Sequence, residues 1–237
     1  GPANGGFAGT GTNDTIVSGL NWTRTWSNSL VMEVRGGFTW YHNVTNSSGQ
    51  GLNTAQELGV PGVNISDYTS GIMSVNIQNY SNPVVGFSNS MPWDRGETTY
   101  TLATTLTKLA GNHQVKFGAD LRRNRDFLLQ TQDFGGPRGT FSYNGSGTST
   151  PADAAAIRNN VANSLASFLL DYSNDVRRDV PFVDEPGTRH QQYFFFVHDK
   201  WQVRPNVTVD LGLRYEYYTP FVGIQAPEQF RGITRAH

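Results

Sequence analysis

The clearest pattern in the chain is a strict alternation of residue types close to the C-terminus. From Val207 to Tyr218 every odd position is apolar, while the even positions carry Thr, Asp, Gly, Arg, Glu and Tyr. A period of two over a dozen residues predicts a β-strand with one apolar face, longer than the usual strand of about 5–6 residues. A strand that crosses a membrane as part of a barrel needs about 9–11 tilted residues with aromatic side chains at the interface. The pattern therefore favours a barrel strand over a soluble sandwich.

Five further segments alternate in the same way, so the sequence predicts long strands that form hairpins. Apolar residues at every second position face one side, and charged or Thr residues face the other. Short turns are predicted at 27–29, 109–113 and 204–206. The six predicted strands, paired in three hairpins, cover approximately 14–26, 30–42, 97–108, 114–127, 190–203 and 207–218.

Two long loops separate the hairpins, at 43–95 and 128–188. They are rich in Asn, Ser, Thr and Gly, and far longer than usual connections of about 4–6 residues. The second contains a predicted helix at about 152–172, because Thr150 can cap it, Pro151 suits its first turn, and apolar residues recur at helical spacing. Short turns that alternate with long loops are typical of outer-membrane barrels, with the long loops outside. The predicted fold is an all-β, antiparallel up-and-down meander, a segment of a transmembrane β-barrel.

Composition narrows the class further. Hydrophobic residues make up 37% of the 237 residues, as expected where apolar side chains occupy only alternate strand positions. The net charge of −1 gives no indication of a nucleic-acid partner, and the absence of Cys excludes disulfides and thiolate metal sites. No apolar run is long enough for a transmembrane helix. The first residues lack a signal peptide, so we expect a mature piece or a fragment of a longer protein.

Three stretches resemble a known family. YFFFVHDKWQV with RPN and VTVDLGLRYEYYTP, FGADLRRNRDF, and SFLLDYSNDVRRDVP are similar to barrel hairpins of TonB-dependent outer-membrane receptors, in particular the Oar-like receptors with a carboxypeptidase-regulatory-like domain. Such barrels have about 22 strands around a plugged lumen, and 8 strands is the usual minimum for closure. We therefore expect residues 1–237 to form a partial barrel domain without the plug. The resemblance implies a Gram-negative outer membrane.

Candidate functional residues are few. Arg177 and Arg178 offer an anion site, although a solvated loop with a local ion pair is the simpler interpretation. Asp184 and Glu185 offer a cation site, or form a solvated acidic turn. The sequence predicts no catalytic, cofactor-binding or metal-binding residue, because the His residues lack metal-site spacing and no activated nucleophile is evident. Candidate membrane-girdle aromatics are Trp22, Trp40, Tyr193, Trp201, Tyr215 and Tyr217. The C-terminal strip of Tyr193, Phe195, Trp201, Tyr215 and Tyr217 is alternatively a surface on which sugar rings stack.

Three functions are compatible with this sequence. The resemblance implies import: part of a TonB-dependent receptor that binds a scarce solute and transports it without an enzymatic step. Its partners would be outer-membrane lipid, an unknown small solute and the TonB system, the last through parts not present in this chain, with no nucleic acid and no cofactor. The second function is a soluble or self-assembling β-rich binding module derived from such a barrel. The third is a hydrolase carried by the long loops.

Overall fold

A computed structural model describes residues 7–80, 85–131, 135–149, 161–180 and 186–225. In these residues, six long strands form one antiparallel sheet, and each neighbours the next long strand in the chain. The strands are β1 (Gly9–Ser27), β2 (Leu30–Ser47), β4 (Trp93–Ala110), β5 (His113–Gln130), β8 (Pro186–Arg204) and β9 (Val207–Tyr218). The predicted up-and-down meander is therefore confirmed, and the sheet is not closed among the residues described above.

Each predicted hairpin turn is a tight two-residue connection. The strands end at Ser27, Ala110 and Arg204, and the return strands begin at Leu30, His113 and Val207. Two of the turns lie beside register shifts, between Thr25 and Ser27 and between Gln202 and Arg204. Such bulges increase the local twist of a strand pair. All three turns lie at the same end of the strands, and the long connections lie at the opposite end.

The strands extend further than predicted, and this corrects the proposed loop bounds. Residues 9–13, 43–47, 93–96, 128–130 and 186–189 were expected in loops or outside strands but continue the ladders. These residues are mostly polar or glycine, so they lack the apolar alternation that predicts a strand. Backbone hydrogen bonds to the neighbouring strands hold them in the sheet. Residues 221–237, whose sequence suggests the start of another loop, contain β10 (Val222–Gln225), which pairs with the start of β8.

The long connections fold into a second layer. In this loop layer, the described parts of 48–92 and 131–185, β3 (Ser74–Ile77) pairs in parallel with β6 (Thr140–Tyr143), and β7 (Asp175–Arg177) pairs antiparallel to β6. Short helical turns lie at α1 (Thr54–Glu57), Asp67–Thr69 and Gly145–Thr148. Val75, Ile77 and Tyr143 form a buried cluster beneath Leu165 and Phe168. The loops are thus folded around a core of their own, which their sequence did not predict.

The predicted helix at 152–172 is present in part. A helix, α2, covers Val161–Leu169, and Thr150 to Asn160 lie outside the described residues, so the predicted cap at Thr150 and Pro151 stays a prediction. The helix ends earlier than predicted, because Asp171 has a φ of 56°. That left-handed conformation cannot continue a right-handed helix.

Candidate functional site

The cross-strand register places the predicted apolar residues on one face of the sheet, called the apolar face. For example, Leu213 lies opposite Val197, which lies opposite Phe117 on the next strand. Leu20, Leu211 and Leu213 are 76%, 60% and 72% exposed. The remainder of this belt comprises Trp22, Leu30, Met32, Val34, Leu102, Leu106, Val115, Leu121, Tyr193, Phe195, Tyr215 and Tyr217. No second layer of the described chain covers its centre.

The apolar belt is slanted relative to the strands. On β1 it runs from Ile16 to Trp22, whereas on β9 it runs from Val209 to Tyr217. The side chains on this face form rows, which are two residues apart along each strand. From β1 to β9 the belt shifts by two to three such rows towards the tight turns. With about 3.4 Å per residue and about 4.8 Å between strands, this shift corresponds to a strand tilt of roughly 30–40°. Membrane barrels tilt their strands by about 35–45°.

Aromatic residues follow both borders of this slanted belt. Trp40, Tyr100, Tyr193 and Tyr217 mark the border nearer the loops, and the rings of Tyr193 and Tyr217 stack with centroids 6.1 Å apart. Two further residues predicted for the girdle, Trp22 and Trp201, mark the border nearer the turns, and Tyr215 lies one row inside the belt. Trp40 differs from the rest because it also packs against a buried cluster of the loop layer.

Asp199 interrupts the apolar face near the tight turns. A carboxylate in this position is compatible with a site at headgroup depth or with a bulge that shifts the register. The bulge lies closer to the turn, after Gln202, so Asp199 stays on the apolar face. Its Oδ2 lies 2.7 Å from His113 Nδ1, and the His113 ring stacks on Trp201 at 5.3 Å. The carboxylate therefore has a partner at the border of the belt.

The opposite face, called the polar face, carries paired charges. Residues two apart on a strand share a face, and four such pairs form ion pairs along single strands. Arg122 lies 2.7 Å from Asp120 and Arg214 lies 2.5 Å from Glu216. The other two pairs are Arg35 with Glu33 and Arg95 with Glu97. In a barrel whose apolar face is outward, this face lines the interior.

Two phenylalanines lie among these charges. Phe194 is only 4% exposed and lies between the guanidinium groups of Arg122 and Arg214, which are 5.3 and 5.1 Å from its ring centroid. Phe196 lies over Gly118, its cross-strand neighbour. A Cβ at Gly118 would lie 2.7 Å from the Phe196 ring and 2.2 Å from the Thr104 carbonyl oxygen. Gly118 is therefore required by the close approach of this ring and of the neighbouring strand.

The loop layer is anchored to the sheet at the outer ends of the strands. Tyr68 packs on Phe127 and Leu129, and its hydroxyl accepts a hydrogen bond of 3.0 Å from the Thr131 backbone N–H. Burial raises the pKa of Tyr68. This contact covers the apolar face only above the aromatic border, so the layer leaves the belt open.

Two arginines of the loop layer have contrasting environments. Arg178 donates to the backbone carbonyl oxygens of Pro137, Gly62 and Val63 at 3.0, 2.5 and 2.9 Å, so it joins the two long connections. Arg138 is 2% exposed and donates from Nη2 to the Ser88 carbonyl at 3.2 Å. Burial lowers the pKa of Arg138 to about 10. Sequence reasoning missed Arg138, because a lone Arg after Gly-Gly-Pro gives no burial signal.

The predicted ligand residues do not form one site in the described chain. Arg178 is held by the carbonyls named above, and Arg177 makes a local ion pair with Asp175 at 2.7 Å. These contacts favour the simpler interpretation, a local ion pair and a structural contact. Asp184 and Glu185 lie outside the described residues, so the cation site stays a prediction.

A cleft in the loop layer was not predicted. It has a volume of about 530 Å³ and lies where the parallel strands β3 and β6 both end. Five carboxamide side chains line it, those of Asn76, Gln78, Asn79, Asn144 and Asn174. Tyr143 also lines it and donates to Asp171 Oδ1 at 2.9 Å, and burial together with this bond raises the pKa of Tyr143 to about 12. The signal in the sequence was the run NIQNY after a short strand.

Two searches of the described residues gave negative results. None of their helices has both the length and the hydropathy needed to cross a membrane. In the same residues, no group of three or more His, Asp or Glu side chains is placed to hold a metal ion.

Comparison with known proteins supports the architecture. A search of curated protein sequences finds no significant match to this chain. A family model described as an outer membrane beta barrel domain matches residues 1–229, almost the entire chain. The chain therefore belongs to the outer membrane β-barrel domain family, whose location is the bacterial outer membrane.

Proposed function

We propose that this chain is part of a TonB-dependent outer-membrane receptor that binds a scarce solute at its external loops and imports it. The observation that carries the proposal is the folded loop layer at the outer end of a barrel sheet. Ordinary connections of about 4–6 residues need no core, whereas this layer has a parallel strand pair, a helix and a buried cluster. A structured layer at the mouth of a barrel is suited to selective binding, because ligand sites are concave and largely preformed.

The polar face supports passage of a solute through the barrel interior. Each charged group of these ion pairs has its partner on the same strand. The wall can therefore be hydrated without leaving an unpaired charge buried. Residues that resemble TonB-dependent receptors lie in β5, β8 and β9, three of the six long strands that form this wall. We propose no enzymatic step, and the energy for transport would come from the TonB system through other parts of the receptor.

The proposal is tested by uptake in the native bacterium. Cells that lack the protein and cells that lack TonB should lose uptake of the same solute, and the two deletions together should lose no more than either alone. The protein should fractionate with the outer membrane and migrate differently on gels before and after heating. Recovery of the protein in the soluble fraction without detergent, or uptake unaffected by TonB deletion, would contradict the import function.

A further inference from the structure

The cleft at the ends of β3 and β6 is lined by uncharged polar groups. Besides the five carboxamides, Ser142 and the rings of Tyr80 and Tyr143 contribute to the wall, and none of the described residues that line it is charged. Its volume of about 530 Å³ lies within the roughly 300–1,000 Å³ of small-molecule sites. A site of this size without charge cannot neutralise a phosphate or carboxylate, so its ligand should be neutral.

The fold explains why amides converge here. Asn76 lies opposite Ser142 in the parallel register, and both alternate with core residues of the same strands, so they point away from the buried cluster. The chain then continues from both strands in the same direction, which brings 78–80 beside Asn144. The Asn174 backbone N–H donates to the Ser142 carbonyl oxygen at 2.9 Å and closes the third side.

The polar atoms of the cleft match hydroxyl groups. A carboxamide offers two donors and an acceptor, and a hydroxyl group offers a donor and two acceptors, so the two are complementary in either direction. Asn76 Oδ1 is buried and accepts no hydrogen bond from the protein. A buried acceptor without a donor costs about 1–3 kcal/mol, and a ligand hydroxyl would satisfy it. Tyr80, which is 48% exposed, adds an apolar ring face at the rim.

We propose that this cleft binds a neutral carbohydrate, with Asn76 as an acceptor for a ligand hydroxyl and Tyr80 as the ring on which a sugar packs. This carbohydrate would be the solute of the proposed import function, and its transport rests on that function. A peptide ligand would also use amide hydrogen bonds, so a short peptide is measured beside the carbohydrates.

The test measures binding to the purified full-length protein in detergent by calorimetry. The probes are the neutral trisaccharides maltotriose, cellotriose and raffinose, with the charged trigalacturonate and the peptide trialanine for comparison. We expect at least one neutral trisaccharide to bind, and neither of the other two probes. Asn76→Leu should weaken binding by about fivefold or more because the ligand hydroxyl loses its acceptor. Tyr80→Ala should weaken binding by about fivefold or more because the apolar ring face is lost.

The matched control is Asn53→Ala. Asn53 is an exposed loop-layer asparagine outside the cleft, and its side chain makes no capping hydrogen bond. Unchanged binding in this variant, with native heat-modifiable migration in all three, would assign the loss to the cleft. Asn79 is not substituted, because its φ of 67° favours Asn on backbone grounds alone.

The outcomes separate binding from import. Binding of only trialanine or trigalacturonate, of no probe, or of trisaccharides with unchanged affinity in Tyr80→Ala and Asn76→Leu would overturn the carbohydrate site and leave the import function standing. Trisaccharide binding that depends on the cleft, combined with cellular uptake that does not require TonB, would support the site and refute the import function.

Discussion

The barrel sheet and the loop layer use the same apolar residue types in opposite ways. Leu211 and Leu213 on the sheet are 60% and 72% exposed, whereas Ile77, Phe87 and Met91 in the loop layer are 5%, 1% and 0% exposed. Burial of apolar surface contributes about 25 cal/mol per Å² only where the alternative is water. The loop layer therefore builds a core as a soluble domain does, and the sheet has none because lipid is the solvent of its apolar face. The same chain therefore places apolar residues according to two solvents, water around the loop layer and lipid at the apolar face.

The largest expected effect tests the solvent of the apolar face. Leu102→Arg places a charge in the belt, where Leu102 is 50% exposed, and should reduce the free energy of unfolding in phospholipid vesicles by about 2–4 kcal/mol. Its neighbour on β4, Thr101, faces the polar side. Thr101→Arg should change the unfolding free energy by less than about 1 kcal/mol. Equal effects of the two substitutions would show that the apolar face does not meet lipid.

The next effect tests whether the loop layer is one cooperative unit. Arg178→Met removes three hydrogen bonds to backbone carbonyls from both long connections, and should destabilise the layer by about 2–3 kcal/mol because the part-buried carbonyls of Pro137 and Val63 lose their donor. Arg177→Met, the adjacent control, disrupts an exposed ion pair with Asp175 and should cost at most about 1 kcal/mol. Amide hydrogen exchange should show faster exchange in β3 and β6 for Arg178→Met, with the barrel strands unchanged.

The third effect concerns close packing within the sheet. Gly118→Ala places a Cβ 2.2 Å from the Thr104 carbonyl oxygen and 2.7 Å from the Phe196 ring, and should destabilise the barrel by about 1–3 kcal/mol. A Cβ at Gly36 meets no atom within 4 Å, so Gly36→Ala is the matched control and should be neutral or slightly stabilising. Denaturant midpoints in vesicles measure both. A neutral Gly118→Ala would refute the packing of Phe196 over this position.

The two regions also differ in how far the sequence predicts them. The strands of the sheet were predictable in the belt, because lipid on one side and a polar interior on the other impose a strict period of two on residues such as Val209 to Tyr217. Their outer ends were not, since residues such as 43–47 keep the ladder without apolar alternation. The cleft was not predictable either. Its parallel pairing of β3 with β6 joins segments more than sixty residues apart, and short polar strands carry no signal of their partner.

The smallest expected effect concerns the buried charge of Arg138 in the loop layer. Burial lowers the pKa of Arg138 from its ordinary 12.5 to about 10, so the folded state holds the charged guanidinium less favourably than the unfolded state does. Below pH 10 this cost is present in full, and stability should rise as the pH increases from about 10 towards 12.5.

Arg138→Met removes the cost, and should leave stability at neutral pH unchanged or raise it by at most about 1 kcal/mol. Thermal unfolding of the loop layer, followed by proteolysis between pH 7 and about pH 11, should show the rise in the wild type and a flatter profile in the Met variant. A loss of stability well above about 1 kcal/mol in Arg138→Met would mean that the hydrogen bond from Arg138 to the Ser88 carbonyl outweighs the cost of burying the guanidinium.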